Sequence, residues 1–136
     1  MNAETLGDID AGFLVLLGVE EVDDMTDIEW LTSKIVNMRV FPDEEGRMNL
    51  SALDSGCEFL VISQFTLYAS TKKGNRPSFI RSASPEHAKK MYNSFVDLLR
   101  TKTSEKVATG EFGADMKVSL VNDGPVTIHI DSRNRE

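Results

Sequence analysis

The 136 residues suit one domain, 1–136, long enough to bury roughly two-thirds of the surface that the unfolded chain would expose. A net charge of −7 argues against a broadly basic nucleic-acid binder. The lone Cys57 excludes an intrachain disulfide framework and a Cys-rich zinc site, and fits a reduced, cytoplasmic setting.

Met1–Asp10 lacks the basic start of a signal peptide. No apolar run approaches the ~20 residues of a membrane span. Phe13–Val19 (FLVLLGV) is a short continuous apolar run, which predicts a strand buried on both faces. An acidic stretch then leads into a helix that Asp27 or Thr26 can cap, with Ile28, Leu31, Ile35 and Met38 at helical spacing. Val40-Phe41 opens an extended segment, and Pro42–Gly46 is a turn signal. Phe59–Ser63 is a second buried strand, running on into Gln64–Tyr68. Ser84-Pro85-Glu86 starts a helix, with Ser as N-cap and Pro at the first helical position. Its apolar face carries Ala88, Met91, Phe95, Leu98 and Leu99. Lys106–Ala108 is a short strand candidate, and Val118–Val121 and Val126–Ile130 read as two more strands around Asn122–Pro125. Asp131–Glu136 reads as a frayed polar tail. Two helices separated by several strands predict an α+β fold with the helices on one face of a β-rich core.

Charge is unevenly spread. Glu20, Glu21, Asp23, Asp24, Asp27 and Glu29 cluster without a base among them, whereas Lys72, Lys73, Arg76, Arg81, Lys89 and Lys90 face only Glu86. That basic stretch is either a solvated loop and helix or a local phosphate-holding face. His87 and His129 are the only histidines, and no HxxxH or CxxC pattern exists, so no metal is expected. Phosphate-loop glycine patterns and a GxSxG elbow are also lacking.

Two stretches carry candidate chemistry. In Ser63–Ala69 (SQFTLYA) a strand turns polar at its end, and alternation places Gln64 and Thr66 on one face, with Ser63, Phe65 and Leu67 on the other. The pair is either a site wall or a set of satisfied edge groups. Asn122-Asp-Gly-Pro125 is either a hairpin tip, with Gly124 at positive φ, or something more specific. Pro125 donates no ladder bond, and a Gly-Pro bond takes the cis form at ~0.5–1 kcal/mol. A cis bond would present neighbouring carbonyls rigidly to a ligand.

Together the segments VISQFTLYASTKKGNRPSF (Val61–Phe79) and GADMKVSLVNDGPVT (Gly113–Thr127) resemble the D-aminoacyl-tRNA deacylase family, whose hallmarks are SQFTL and NxGPVT. Phe13–Val19, Lys34–Ser51 and Gly110–Met116 look like its intervening segments, so the resemblance covers about Leu6 to Asp131. It implies a homodimeric α+β fold and a cytoplasmic enzyme with no cofactor and no membrane contact. The implied reaction is hydrolysis of the ester joining a D-amino acid to the 3′-terminal adenosine of tRNA, in chiral proofreading of translation. Glycine mischarged on tRNA-Ala is an implied second substrate.

The resemblance also implies residue roles. Gly124 and Pro125, joined by a cis bond, would reach into the partner subunit's active site, their carbonyls excluding L side chains. Ser63, Gln64, Phe65 and Thr66 would lie at the adenosine end and the scissile ester, with Asn122 and Met116 supporting the loop. Lys72, Lys73 and Arg76 would contact phosphates of the tRNA acceptor end. An L/D filter needs a rigid wall close to Cα, and a backbone wall cannot rotate away. Thr66 has no base paired with it in sequence, and an unactivated hydroxyl is a poor nucleophile. Water attack is favoured over attack by Thr66, with N–H groups near Phe65 and Thr66 holding the oxyanion and the ribose 2′-hydroxyl placing the water. The alternatives are a non-catalytic RNA- or protein-binding module and a small-molecule ester hydrolase on the same fold. Family members begin with a further Val-rich strand carrying a Gln-Arg pair before the point matching Leu6. Here that strand is expected to be missing, leaving a sheet edge unpaired.

Overall fold

The computed structural model describes residues 5–135. Met1–Glu4 and Glu136 lie outside the described residues, and with them the start of the stretch read for a signal peptide and the last residue of the tail. The elements in chain order are β1 (Gly12–Leu17), α1 (Met25–Asn37), β2 (Phe41–Pro42), β3 (Met48–Leu50), α2 (Ala52–Ser55) and β4 (Glu58–Ser63). A 3-10 turn (Phe65–Tyr68), α3 (Pro85–Lys102) and β5 (Val107–Thr109) follow.

The main sheet is parallel, in the order β1-β4-β5, with Gly12–Leu17 in register against Glu58–Ser63 and Phe59–Val61 against Val107–Thr109. Parallel neighbours need long crossovers, and α1 and α3 lie in them. The chain is therefore a mixed α/β structure with three α-helices among the described residues, where the sequence led to an α+β arrangement of two. The third, α2, is a single turn, too short to leave a periodic signal. Ser51 and Asp54 cap it reciprocally.

The side chains that β1 and β4 give to the main apolar cluster follow the two-residue period of a strand. Phe13, Val15, Phe59 and Val61 turn toward Ile28, Ile35, Phe95 and Leu99 in one apolar cluster, with Phe59, Val61, Phe95 and Leu99 fully buried. Leu16 on the other face is 42% exposed, so β1 is buried on one side rather than two. That second face, through Leu14, Leu60 and Ile62, floors a groove of about 1430 Å³, whose far side is Val118, Leu120 and Ile128.

Val118–Val121 and Val126–Ile130 are not paired strands. Their β-branched composition fits a pleated surface, but a strand exists only when a neighbour completes its hydrogen bonds. Among the described residues, segment 117–130 makes no hydrogen bond to the rest of the chain.

Both long helices start where local chemistry dictates. Ser84 caps α3, its hydroxyl accepting from the His87 N–H, with Pro85 at the first position. In α1 the cap is Asp24, neither Thr26 nor Asp27. Asp24 accepts from the Thr26 N–H at 2.9 Å, and Asp27, at the third helical position, accepts from the Asp24 N–H at 2.9 Å. The two carboxylates form a capping box.

The acidic cluster draws its bases from distant sequence. Arg81 pairs with Glu20 at 2.8 Å, and Arg133 reaches Asp23 Oδ1 at 3.0 Å and Asp27 Oδ2 at 2.9 Å. The tail is therefore pinned rather than frayed. Arg133 also donates to the Val22 carbonyl, the Ser132 hydroxyl to Asp27, and the Arg135 guanidinium lies 4.5 Å from the Trp30 ring centroid.

Burial pushes the Asp27 carboxyl up, but the Asp24 N–H, the Ser132 hydroxyl and the Arg133 guanidinium outweigh it, and the group is held below its ordinary value. A carboxyl lowered on folding contributes stability above the ordinary aspartate range, near pH 4, and loses it as pH falls through the folded value. Asp27→Asn is expected to cost about 1–3 kcal/mol at pH 7. In urea titrations the gap to wild type should narrow as pH falls below about 4. A gap unchanged down to pH 2 would mean that the carboxylate charge is not what Asp27 contributes.

No helix among the described residues is long and apolar enough to cross a membrane.

Candidate active site

The C-terminal edge of a parallel sheet is where open α/β folds place their ligands. Here that edge collects Gly18–Asp24 after β1, Gln64–Tyr68 after β4 and Gly110 onward after β5. The Gln64 N–H donates to the Leu17 carbonyl at 2.8 Å, the last rung of the β1–β4 ladder, and the chain then leaves the strand with Gln64 at φ −140°, ψ 84°. The expected extension of the strand through Tyr68 is thus corrected: Phe65–Tyr68 coil into a 3-10 turn.

Gly18 allows this. A Cβ there would lie 3.0 Å from the Tyr68 ring, 3.3 Å from the Gln64 carbonyl oxygen and 3.3 Å from Leu67 Cβ. The turn seats against a bare backbone.

The break changes why Gln64 and Thr66 meet. Strand alternation does not bring them together; the turn does, and Gln64 Nε2 donates to Thr66 Oγ1. An amide takes no proton, so this neighbour orients the hydroxyl without activating it. His87 Nε2 lies 3.0 Å from the Asp23 carbonyl, and among the described residues no histidine bonds Thr66. Ser63 closes β4, half-buried, just before the turn.

Leu67 and Ala69 donate to the Gln64 and Thr66 carbonyls, but the N–H groups of Phe65 and Thr66 donate no hydrogen bond among the described residues. The opening residues of a helical turn always leave such donors. Here they lie at the sheet's C-terminal edge, on exposed residues.

Phe65, 55% exposed, meets the Phe79 ring edge-on at 5.0 Å. The pairing exists because Ser70 and Ser78 exchange backbone hydrogen bonds at 2.8 Å, which folds Thr71–Pro77 back on itself. Lys72, Lys73 and Arg76 are carried out on this loop, exposed, without an ion pair among the described residues. Arg81 leaves the basic group: it is held by Glu20 and lies 5.1 Å from the Tyr68 ring centroid. Burial, then the Asp23, Glu20 and Asp131 carboxylates, push the Tyr68 phenol far up, so it keeps its proton and acts by packing, not as a base.

The second predicted element lies elsewhere on the chain. Gly124–Pro125 is a cis peptide bond, with Gly124 at φ +134°. Asn122 closes the loop from within: its Oδ1 accepts from the Val126 N–H at 3.0 Å and its Nδ2 donates to Thr127 Oγ1 at 2.9 Å. Met116 packs its sulfur against Gly110, where a Cβ would lie 2.5 Å from Sδ. Within one chain, no hydrogen bond among the described residues joins loop 122–127 to Ser63–Thr66. Gly18, Tyr68, Phe79, Arg81 and Arg133 were not singled out as site residues from sequence. Of these, Tyr68 and Phe79 lie inside the quoted Val61–Phe79 motif, Gly18 inside Phe13–Val19 and Arg81 in the basic stretch, whereas Arg133 left no signal.

The chain matches the D-Tyr-tRNA(Tyr) deacylase family over residues 1–131. The D-aminoacyl-tRNA deacylase of Flavobacterium psychrophilum is 54% identical over 136 residues, covering 100% of this chain and 91% of that protein. The D-aminoacyl-tRNA deacylase of Bacteroides thetaiotaomicron is 56% identical over 128 residues, 94% of this chain and 85% of the relative. Among solved structures, a c-Myc DNA Unwinding Element Binding Protein is similar, with a TM-score of 0.83 and 43% identity over 88% of this chain and 81% of that one.

Proposed function

The chain belongs to the D-Tyr-tRNA(Tyr) deacylase family, and from that premise we propose that it hydrolyses the ester of D-aminoacyl-tRNA and works as a homodimer in the cytoplasm. Glycine mischarged on tRNA-Ala is a second substrate in this reading. The Gly124–Pro125 loop of one subunit, exposed at its tip, would enter the partner's site and exclude L-amino acids. Glycine passes this filter, because it has no side chain to exclude.

The observation that carries the chemistry is the Phe65 and Thr66 N–H pair, unpaired among the described residues, on a turn whose Thr66 hydroxyl has an amide and, among those residues, no base beside it. Water, placed by the ribose 2′-hydroxyl, attacks the ester carbonyl carbon. The two N–H groups hold the oxyanion. The carbon–oxygen bond to the ribose 3′-oxygen then breaks, and that oxygen takes the proton that the attacking water gives up. Phe65 and Phe79 offer an apolar aromatic surface for the terminal adenine.

Thr66→Ala tests this route. Its kcat on D-aminoacyl-tRNA should stay within about tenfold of wild type, whereas loss of turnover with unchanged KM would make Thr66 the nucleophile.

In the same reading Lys72, Lys73 and Arg76 contact acceptor-end phosphates. Apparent affinity should then fall steeply with salt, and neutralising all three should flatten the log–log slope by about 2. A slope that is flat in wild type would remove the loop from the interface.

A further inference from the structure

The proposed filter sits on a segment with few attachments. Residues 117–130 make no hydrogen bond to the rest of the chain among the described residues, and their apolar side chains are poorly covered: Val118 is 42%, Leu120 59% and Ile128 50% exposed. The Asn122 hydrogen bonds shape the loop but tie it to nothing else. Two anchors hold the ends. At one, Met116 packs on Gly110 beside Ile62. At the other, the tail is pinned by Ser132 on Asp27 Oδ1 at 2.8 Å and by Arg133 on Asp23 Oδ1, Asp27 Oδ2 and the Val22 carbonyl.

Arg133 dominates the second anchor. Its guanidinium makes three hydrogen bonds to three residues, two of them carboxylates whose side chains are only 13% and 8% exposed. A planar fork suits that geometry, and an ammonium does not reproduce it. With this anchor lost, the tie that remains at the ends of the segment within its own chain, among the described residues, is Met116 on Gly110.

We propose that Arg133 is a positioning residue for the Gly124–Pro125 loop: by fixing the tail to the start of α1 it sets where the proposed chiral filter lies. The role rests on the deacylase reading, but the tether itself is measurable without activity. The acidic stretch gains a purpose, since Asp23 and Asp27 serve as the socket for a residue more than a hundred positions away.

The test combines backbone hydrogen exchange with hydrolysis of D- and L-aminoacyl-tRNA, on wild type, Arg133→Ala and Arg133→Lys. Arg133→Ala should speed exchange across 117–130 by about tenfold while β4 and α3 stay unchanged. It should also lower the D-to-L rate ratio by about tenfold, since small misplacements near a reacting centre are costly. Arg133→Lys keeps one of the carboxylate contacts and should recover part of both effects. Unchanged exchange in 117–130 would overturn the tether. An unchanged D-to-L ratio, with both rates falling together, would reduce Arg133 to a stabilising contact. If wild type hydrolyses neither substrate, the deacylase reading fails and the exchange measurement still decides the tether. If Arg133→Ala does not fold, Arg133→Lys and Ser132→Ala carry the same comparison.

Discussion

Gly124→Ala should lower D-aminoacyl-tRNA hydrolysis by about a hundredfold and weaken rejection of the L-form, with little change in stability. Two independent features lead there. Gly124 holds φ +134°, a conformation that L residues rarely adopt. An added Cβ would also lie 2.8 Å from Val126 Cγ2 and 3.1 Å from the Val126 nitrogen. The nitrogen cannot step aside by a rotamer change, because it donates to Asn122 Oδ1 and so closes the loop. The substitution must move the carbonyls that the proposed filter consists of. Stability should hardly respond, since the loop is exposed and makes no hydrogen bond to the core among the described residues. The measurement is a pair of single-turnover rates, D and L, beside a urea titration, with Asp123→Ala as a control in the same loop. An unchanged D rate and an unchanged D-to-L ratio would show that the loop takes no part in selection.

Phe95→Ala should have the largest effect on stability. Phe95 is fully buried in α3, in the cluster that also holds Phe59 and Val61 of β4. Truncating a buried phenylalanine costs about 3–5 kcal/mol through lost burial and the cavity left behind. A whole domain commonly has only 5–15 kcal/mol to lose. The variant is therefore expected to be partly unfolded at 37 °C, with a urea midpoint far below wild type. Activity should fall in proportion to the folded fraction, because β4 carries Gln64–Tyr68 at its end. A loss under 1 kcal/mol would mean that α3 and the sheet do not share a packed core.

The parts of the fold that local chemistry controls were legible in the sequence. Ser84-Pro85 announces α3 because a cap and a proline act within one turn, and the Asp43–Gly46 reversal is equally local. Both chemical motifs were legible as well, but not their geometry. The residues of Phe65–Tyr68 have ordinary strand character; what stops β4 is Gln64 taking the last rung on Leu17, with Gly18 leaving room for the turn. Neither cause is visible within a window around SQFTL. The parallel pairing of β1, β4 and β5 is likewise nonlocal, and so is the tail. Arg133 reads as one charge in a polar end until Asp23 and Asp27 are brought beside it. Val118–Val121 shows the opposite failure: its composition suits a strand, yet no neighbour completes its hydrogen bonds among the described residues.

The proposed enzyme is a hydrolase that tells the two hands of an amino acid apart on tRNA. The most direct measurement is the rate at which the purified protein releases D-tyrosine from D-Tyr-tRNA, beside L-tyrosine from L-Tyr-tRNA on the same tRNA, each corrected for spontaneous hydrolysis. The expected result is D release at least about a hundredfold faster than L release. Equal rates would contradict the filter, and no release of either by a folded protein would contradict the activity.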